Sequence, residues 1–275
     1  MTWDEIADRA SAVGVPPELF FREELQKCVL ACLSAQEFFT KAVLQGGTAL
    51  RLFYGNPRFS EDLDFVLRAP DHPTTLEAHA NTIGAFVRTA FPFVHETRIT
   101  TQKQTPALER VILRVRGPHP AQNLRLNLEL AAVPSYSNLP KTLAYQPLNP
   151  TVRVESLPEI LADKATAIIF RPYLKGRDVW DLHYLIEERG LSIDWSMVAR
   201  KANDYGHSAA KLRALTAAAA EKLAREGTSA LAYEMPRFLS PAALRQYADT
   251  FPAMAEAAAR RFQQPERSRG RELEL

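Results

Sequence analysis

The chain has 275 residues, 46% of them hydrophobic and 24% charged, with a net charge of +2. That length allows one large domain or two modest ones with a real core, and the composition is that of an ordinary globular protein. No apolar run approaches the ~20 residues that span a bilayer, which excludes a membrane-spanning helix, and the small net charge leaves room for a nucleic-acid partner only through a local basic patch.

The first residues, Met1-Thr2-Trp3-Asp4-Glu5, are acidic and lack the basic start and apolar stretch of a signal peptide. A cytoplasmic protein is expected. Residues 4–13 read as a short helix and 17–39 as a stronger one, with Leu19, Phe20, Leu25, Cys28, Val29, Cys32 and Leu33 at helical spacing. Cys28 and Cys32, the two cysteines, lie one turn apart. Two residues cannot complete a tetrahedral zinc site and no His-rich segment is near, so they read as small core residues. Ala42-Val43-Leu44 reads as a buried strand ending at Gly46-Gly47, and Thr48–Phe53 as a helix broken by Gly55-Asn56-Pro57. Asp62–Leu67 is a predicted strand, 75–91 a helix, and Arg110–Arg116 and Leu124–Leu130 alternate as strands. Val152–Glu155 is a further short strand.

From there the pattern is helical: 156–170, 178–188, 195–203, 209–225 and 242–262, the alanine-rich run at 214–220 favouring helix. The expected organisation is therefore α+β, with a mixed core over residues 1–155 and a helical lobe over 156–275. The Pro-rich stretch from Pro134 to Pro150 is the expected connection between the halves, and Arg260–Leu275 reads as a polar, solvated tail.

Chemistry concentrates between residues 46 and 64. Asp62 and Asp64, two apart on a strand, point to one face, with Leu63, Phe65 and Leu67 on the other. Their carboxylates would sit about 6–7 Å apart and repel by roughly 2–3 kcal/mol at an effective dielectric of 20. A hard divalent cation with oxygen ligands, above all Mg²⁺, relieves such a pair and also binds phosphates. Ahead of it, Gly46-Gly47 at a strand-to-helix turn lets a ligand approach free backbone N–H groups at a helix start. The Thr48 hydroxyl either adds a donor or caps the helix.

Along Leu124–Leu130 the leucines take one face and Arg125, Asn127 and Glu129 the other. Glu129, the one carboxylate of the three, is the expected third acid if this strand neighbours the first. Three acids can hold two metal ions, one activating the attacking hydroxyl and one holding a triphosphate. Singly, each feature is commonplace: acids on a solvated strand face, an ordinary glycine turn, a surface glutamate. Their order is what points to chemistry.

Gly46-Gly47-Thr48-Ala49-Leu50-Arg51-Leu52, Arg58-Phe59-Ser60-Glu61-Asp62-Leu63-Asp64-Phe65, Lys164 and Lys175-Gly176-Arg177-Asp178-Val179-Trp180-Asp181-Leu182 together resemble the AbiEii/AbiGii-type toxin nucleotidyltransferases of the DNA polymerase β-like superfamily. The resemblance runs roughly over residues 40–190. It implies a polymerase β-like core followed by a helical C-terminal lobe, Mg²⁺ (two ions, with Mn²⁺ as an alternative) and an NTP. It implies Asp62 and Asp64 as metal ligands, Lys164 as a phosphate contact and Asp178 as a further active-site acid. Ser60 and Arg177, inside the matching blocks, join Gly46, Gly47, Thr48 and Lys164 as candidate nucleotide contacts. It also implies the toxin half of a toxin–antitoxin pair, with an antitoxin protein as partner and RNA, at the tRNA acceptor end, as acceptor. Thr48 stands where the superfamily commonly has Ser, which keeps the hydroxyl.

By residue pattern alone, Ser156–Glu159 opens a helix as a capping box, and Lys164 either snorkels to solvent or reaches a phosphate. Asp178 suits a helix start, and Arg177 and Asp181 are spaced for a surface ion pair. Arg58 and Lys175 are candidate phosphate or RNA contacts. The expected site is a cleft between the two halves. Two alternatives stand beside RNA nucleotidyl transfer: the same chemistry on a small, antibiotic-type acceptor, and a catalytically silent nucleotide- or RNA-binding protein.

Overall fold

The computed structural model describes residues 1–69 and 74–263. The chain forms two compact units that divide after Ser156. The first begins with helices α1 (Trp3–Ala12) and α2 (Pro17–Ala35). Helix α1 starts in a capping box, the Thr2 hydroxyl accepting from Glu5 N–H while the Glu5 carboxylate accepts from Thr2 N–H. Helix α2 ends earlier than the periodicity predicts. Glu37 takes φ 58°, so Phe38 and Phe39 enter a separate 3₁₀ turn and pack against Phe65. Cys28 and Cys32 are indeed buried in α2. Burial pushes the Cys28 thiol up to about 12, against a hydrogen bond with Tyr145 that lowers it.

Next come β1 (Ala42–Gln45), α3 (Gly46–Tyr54), β2 (Leu63–Leu67) and α4 (Ala80–Ala90). The sheet continues through β3 (Glu96–Gln104), β4 (Leu108–Arg116), β5 (Leu124–Pro134), β6 (Asn138–Thr142) and β7 (Thr151–Glu155). These strands form one mixed sheet in the order β3-β4-β5-β2-β1-β7-β6. β2 runs parallel to β5 and antiparallel to β1, and β1 runs parallel to β7. Alternation then sorts the faces. Leu63 and Phe65 on β2, Leu126 and Leu128 on β5, and Val111 and Leu113 on β4 are buried on one face. Asp64, Asn127, Glu129 and Arg110 lie on the other.

One strand of this unit is not predicted from sequence, and one expectation fails. β3 has only one apolar residue among nine, Ile99, and gives no alternating signal. The Pro-rich stretch is not a connection between halves: it holds the end of β5 and all of β6, which pairs with β7. Pro140 is accommodated because β6 is an edge strand.

The second unit comprises α5 (Leu157–Phe170), α6 (Gly176–His183), α7 (Trp195–Asp204), α8 (Ala209–Glu234), α9 (Pro241–Tyr247) and α10 (Phe251–Gln263). α6 runs on as a π-helical turn over Tyr184–Glu188. α8 continues nine residues past the predicted end at Arg225, through Gly227. A Cβ at Gly227 would lie 2.7 Å from the Ala255 Cβ of α10, so this glycine permits close helix packing rather than breaking the helix. The predicted helix 242–262 is two helices joined by a 3₁₀ turn at Ala248–Thr250. Lys201, fully buried on α7, pairs with Glu159 at 2.6 Å and Asp163 at 3.2 Å, both on α5. The expected capping glutamate is thus a core ion pair. No described helix is long and apolar enough to cross a membrane. The predicted polar tail lies mostly outside the described residues.

Candidate active site

The glycine pair does not end β1 but forms the first turn of α3. Gly46 has φ 74°, a backbone that only glycine adopts without strain. A Cβ there would stand 3.2 Å from Asp64 Oδ2, so the missing side chain keeps the approach to that carboxylate open. Gly47 has a different reason. A Cβ there would run into the Arg58 guanidinium and stand 3.0 Å from Ser60 Oγ. Arg58, only 2% exposed, donates from Nη1 to the Phe59 carbonyl at 3.0 Å. It is a buried prop for the glycine turn, which corrects its reading as a phosphate or RNA contact.

Thr48 does not cap α3. Its buried hydroxyl donates to the Asp62 carbonyl, tying the helix to the segment that carries the acids. Gln26 of α2 donates to the Ser60 carbonyl at 3.1 Å, holding the same segment from the other side. Asp62 lies just before β2 and Asp64 within it.

Strand pairing completes the first cluster. Asp64 is the register partner of Glu129 on β5, and Glu129 of Arg110 on β4. Arg110 Nε donates to Glu129 Oε1 at 2.7 Å. That hydrogen bond raises the guanidinium pKa against the effect of its burial, and the charges of Glu129, Asp62 and Asp64 add to the rise. Asn127 Nδ2 donates to Asp62 Oδ1 at 2.8 Å. Asn127 and Glu129 therefore both face the acids, Glu129 beside Asp64 and Asn127 holding Asp62. Among the described residues, Asp62 Oδ2 and Glu129 Oε2 have no protein hydrogen bond. The donor set is half-exposed carboxylate oxygen beside an open glycine, which suits a hard divalent cation.

Lys164, Asp178 and Arg177 lie in the second unit. Lys164 neither reaches solvent freely nor stands apart: its ammonium is 3.0 Å from Asp178 Oδ1 and 2.7 Å from Asp181 Oδ2. Arg171 also pairs with Asp178. Burial alone would raise the Asp178 carboxyl, but the Lys164 and Arg171 cations hold it well below the usual carboxylate range. Asp181 does not lie at the surface, where the spacing predicts an Arg177–Asp181 pair. It is fully buried under Lys164, while Arg177 pairs with Glu234 at 3.6 Å and lies over the Phe238 ring at 4.7 Å. Lys175 sits 6.0 Å from the Tyr173 ring centre.

Sequence reasoning assigned no role to Arg110 or Arg171 and gave Asp181 a different one. Arg110 stood at the start of a predicted strand, but its role depends on which strand is its neighbour. Asp181 stood in a quoted motif, and its burial on α6 beside the Lys164 ammonium decides its role.

An α+β core that sets two strand-borne acids in register behind a glycine-started helix, followed by a helical unit, is the build of a nucleotidyltransferase. The model of the family described as nucleotidyl transferase AbiEii toxin, type IV toxin–antitoxin system, matches residues 28–260, and the chain belongs to that family. Among solved structures, JHP933 from Helicobacter pylori is 21% identical, with 93% of this chain and 98% of that one covered, at a TM-score of 0.55. A proposed nucleotidyltransferase from H. pylori is likewise 21% identical, covering 89% of this chain and 96% of its own, at 0.53. Both share the fold. Curated proteins yield no match.

Proposed function

We propose that this nucleotidyltransferase is a Mg²⁺-dependent toxin that transfers NMP from an NTP to RNA, at the tRNA acceptor end, and is restrained by an antitoxin protein. The observation that carries the reading is the register pairing of Asp64 with Glu129, with Asp62 held beside them by Asn127. Asp62, Asp64 and Glu129 would hold the ion, or two ions. When bound, Mg²⁺ neutralises charge on the triphosphate and lowers the pKa of the attacking hydroxyl.

The chain's own residues supply position. Gly46 and Gly47 offer backbone N–H groups at the start of α3, where the helix dipole favours phosphate oxygens. Thr48 fixes Asp62 through its carbonyl, and Ser60 lines the same turn. Arg110 orients Glu129 through one oxygen, leaving the other to face the ion. Lys164, its ammonium aimed by Asp178 and Asp181, is the proposed phosphate cation, with Arg177 as a further nucleotide contact. Such transfer asks for positioning and charge neutralisation rather than a covalent protein intermediate.

The test is incubation with each labelled NTP, Mg²⁺ and total tRNA, comparing wild type with Asp64→Ala. Labelled RNA from the wild type alone is expected; equal labelling by both proteins would falsify the reading. Labelling of small antibiotic-type acceptors but not RNA would replace the acceptor class, and NTP binding without product under all conditions would make the protein a silent binder.

A further inference from the structure

The sheet face that carries Asp64 and Glu129 extends across β5, β4 and β3, and a second set of charges lies on it. Arg125 of β5 is the register partner of Arg114 of β4, and Arg114 of Arg98 of β3. Three arginines thus stand side by side across three strands, spanning about 10 Å at the usual strand spacing. Arg98 and Arg125 are exposed and Arg114 half-buried.

Among the described residues, none of the three has a carboxylate partner. Arg125 Nε donates to Asn127 Oδ1 at 3.0 Å and Arg114 Nη1 to Thr100 Oγ1 at 3.3 Å, both neutral acceptors. Arg22 of α2 adds a further guanidinium at the end of the row, donating to the Arg125 carbonyl at 2.7 Å. Like charges directly opposite across strands destabilise a sheet, so folding gives no reason for this row. A bound polyanion does.

The row also has a fixed relation to the acids. Arg125 is four residues from Glu129 along β5, about 13 Å on the same face. The chain of contacts is continuous: Arg125 holds Asn127, and Asn127 holds Asp62.

We infer that Arg98, Arg114 and Arg125 form a track for the phosphate backbone of the RNA acceptor, leading its reacting end to Asp62 and Asp64. The inference rests on RNA as the acceptor class. Guanidinium forks match phosphate oxygens, and the row spans a few phosphates of a strand. An acceptor small enough to sit at the acids alone would have no use for cations so far away.

The experiment measures binding of fluorescently labelled tRNA to the full chain by anisotropy, without NTP, from about 50 to 200 mM salt. Wild type is compared with a triple Arg98→Gln, Arg114→Gln, Arg125→Gln variant and with the triple Arg→Lys variant. The Gln variant is expected to bind at least tenfold more weakly at the lowest salt. Its slope of log affinity against log salt should be about 2 smaller, at ~0.7 per lost single-strand phosphate contact. The Lys variant should keep the wild-type slope, and the Gln variant should unfold at the same temperature as wild type or higher.

Wild-type slope and affinity in the Gln variant would overturn the inference, as would equal loss in the Lys variant or a large drop in unfolding temperature. If the wild type labels RNA and the Gln variant labels and binds it equally, this inference alone fails. If the wild type binds no RNA and transfers to small acceptors, the RNA reading fails with it.

Discussion

Two groups of acids occupy opposite physical regimes in this molecule. On the sheet, Asp62, Asp64 and Glu129 are half-exposed, and Arg110 is the cation that bonds to Glu129. In the helical unit, Asp178 and Asp181 are buried and matched by Lys164 and Arg171. Half-exposed acids at a sheet surface stay within reach of a ligand from solvent; acids enclosed with cations are matched inside the fold and hold those cations in position. On the proposed reading, one set receives a cation from solvent and the other holds one in place.

The strongest way to break this contrast is to neutralise one acid in each group. Asp64→Asn should lower kcat for nucleotidyl transfer by roughly 10³-fold, about 4 kcal/mol, with little loss in thermal unfolding temperature because the side chain is half-exposed. A folded variant with near wild-type kcat would end the assignment. Asp178→Asn should do the reverse to stability, since it leaves the Lys164 and Arg171 cations short of a buried partner. Such losses run to about 3–5 kcal/mol, read by denaturant unfolding; a loss under about 1 kcal/mol would show that the pairing is dispensable.

Arg110→Gln sharpens the first half of the comparison. Losing an orienting partner of a metal ligand typically costs 10–100-fold in metal affinity or activity, so the expected signature is a raised Mg²⁺ requirement with little change in stability. Unchanged Mg²⁺ dependence would reduce Arg110 to a surface ion pair.

Acid titration separates the groups further. The folded Asp178 carboxyl lies below its unfolded value near 3.9. Its contribution to stability is therefore full above about pH 4 to 5 and is lost as pH falls toward the folded value. The wild type should lose stability over that range more steeply than Asp178→Asn. The smallest expected effect concerns Cys28: with its thiol at about 12 and buried, it should react with a thiol reagent at pH 8 only on unfolding.

The sequence made the first group partly legible because much of its information is local. Gly46-Gly47 and Asp62-Leu63-Asp64 lie within 19 residues, and their spacing suffices to place acids on one face. Glu129 could be paired with them only by guessing a strand neighbour, which the alternation of Leu124–Leu130 encouraged. Arg110 and the arginine row needed the actual register, and β3 needed tertiary context, since a strand reading Glu-Thr-Arg-Ile-Thr-Thr-Gln-Lys-Gln has too little apolar alternation. In the helical unit the pattern located the helices but not their partners. Arg177 and Asp181 looked like a surface pair because helical spacing says who is adjacent, not which face is covered.

The parallel pairing of β2 with β5 has a consequence in time. Asp64 and Glu129 are 65 residues apart in sequence, and nothing local brings them together. Contacts of that sequence separation form late, after loop closure has been overcome. A chain emerging from the ribosome therefore passes through nearly half its length with the proposed metal ligands scattered. On the proposed reading, activity begins only once β5 has been made and has docked beside β2. For a protein of a toxin family, the sheet topology itself sets a delay between synthesis and potency.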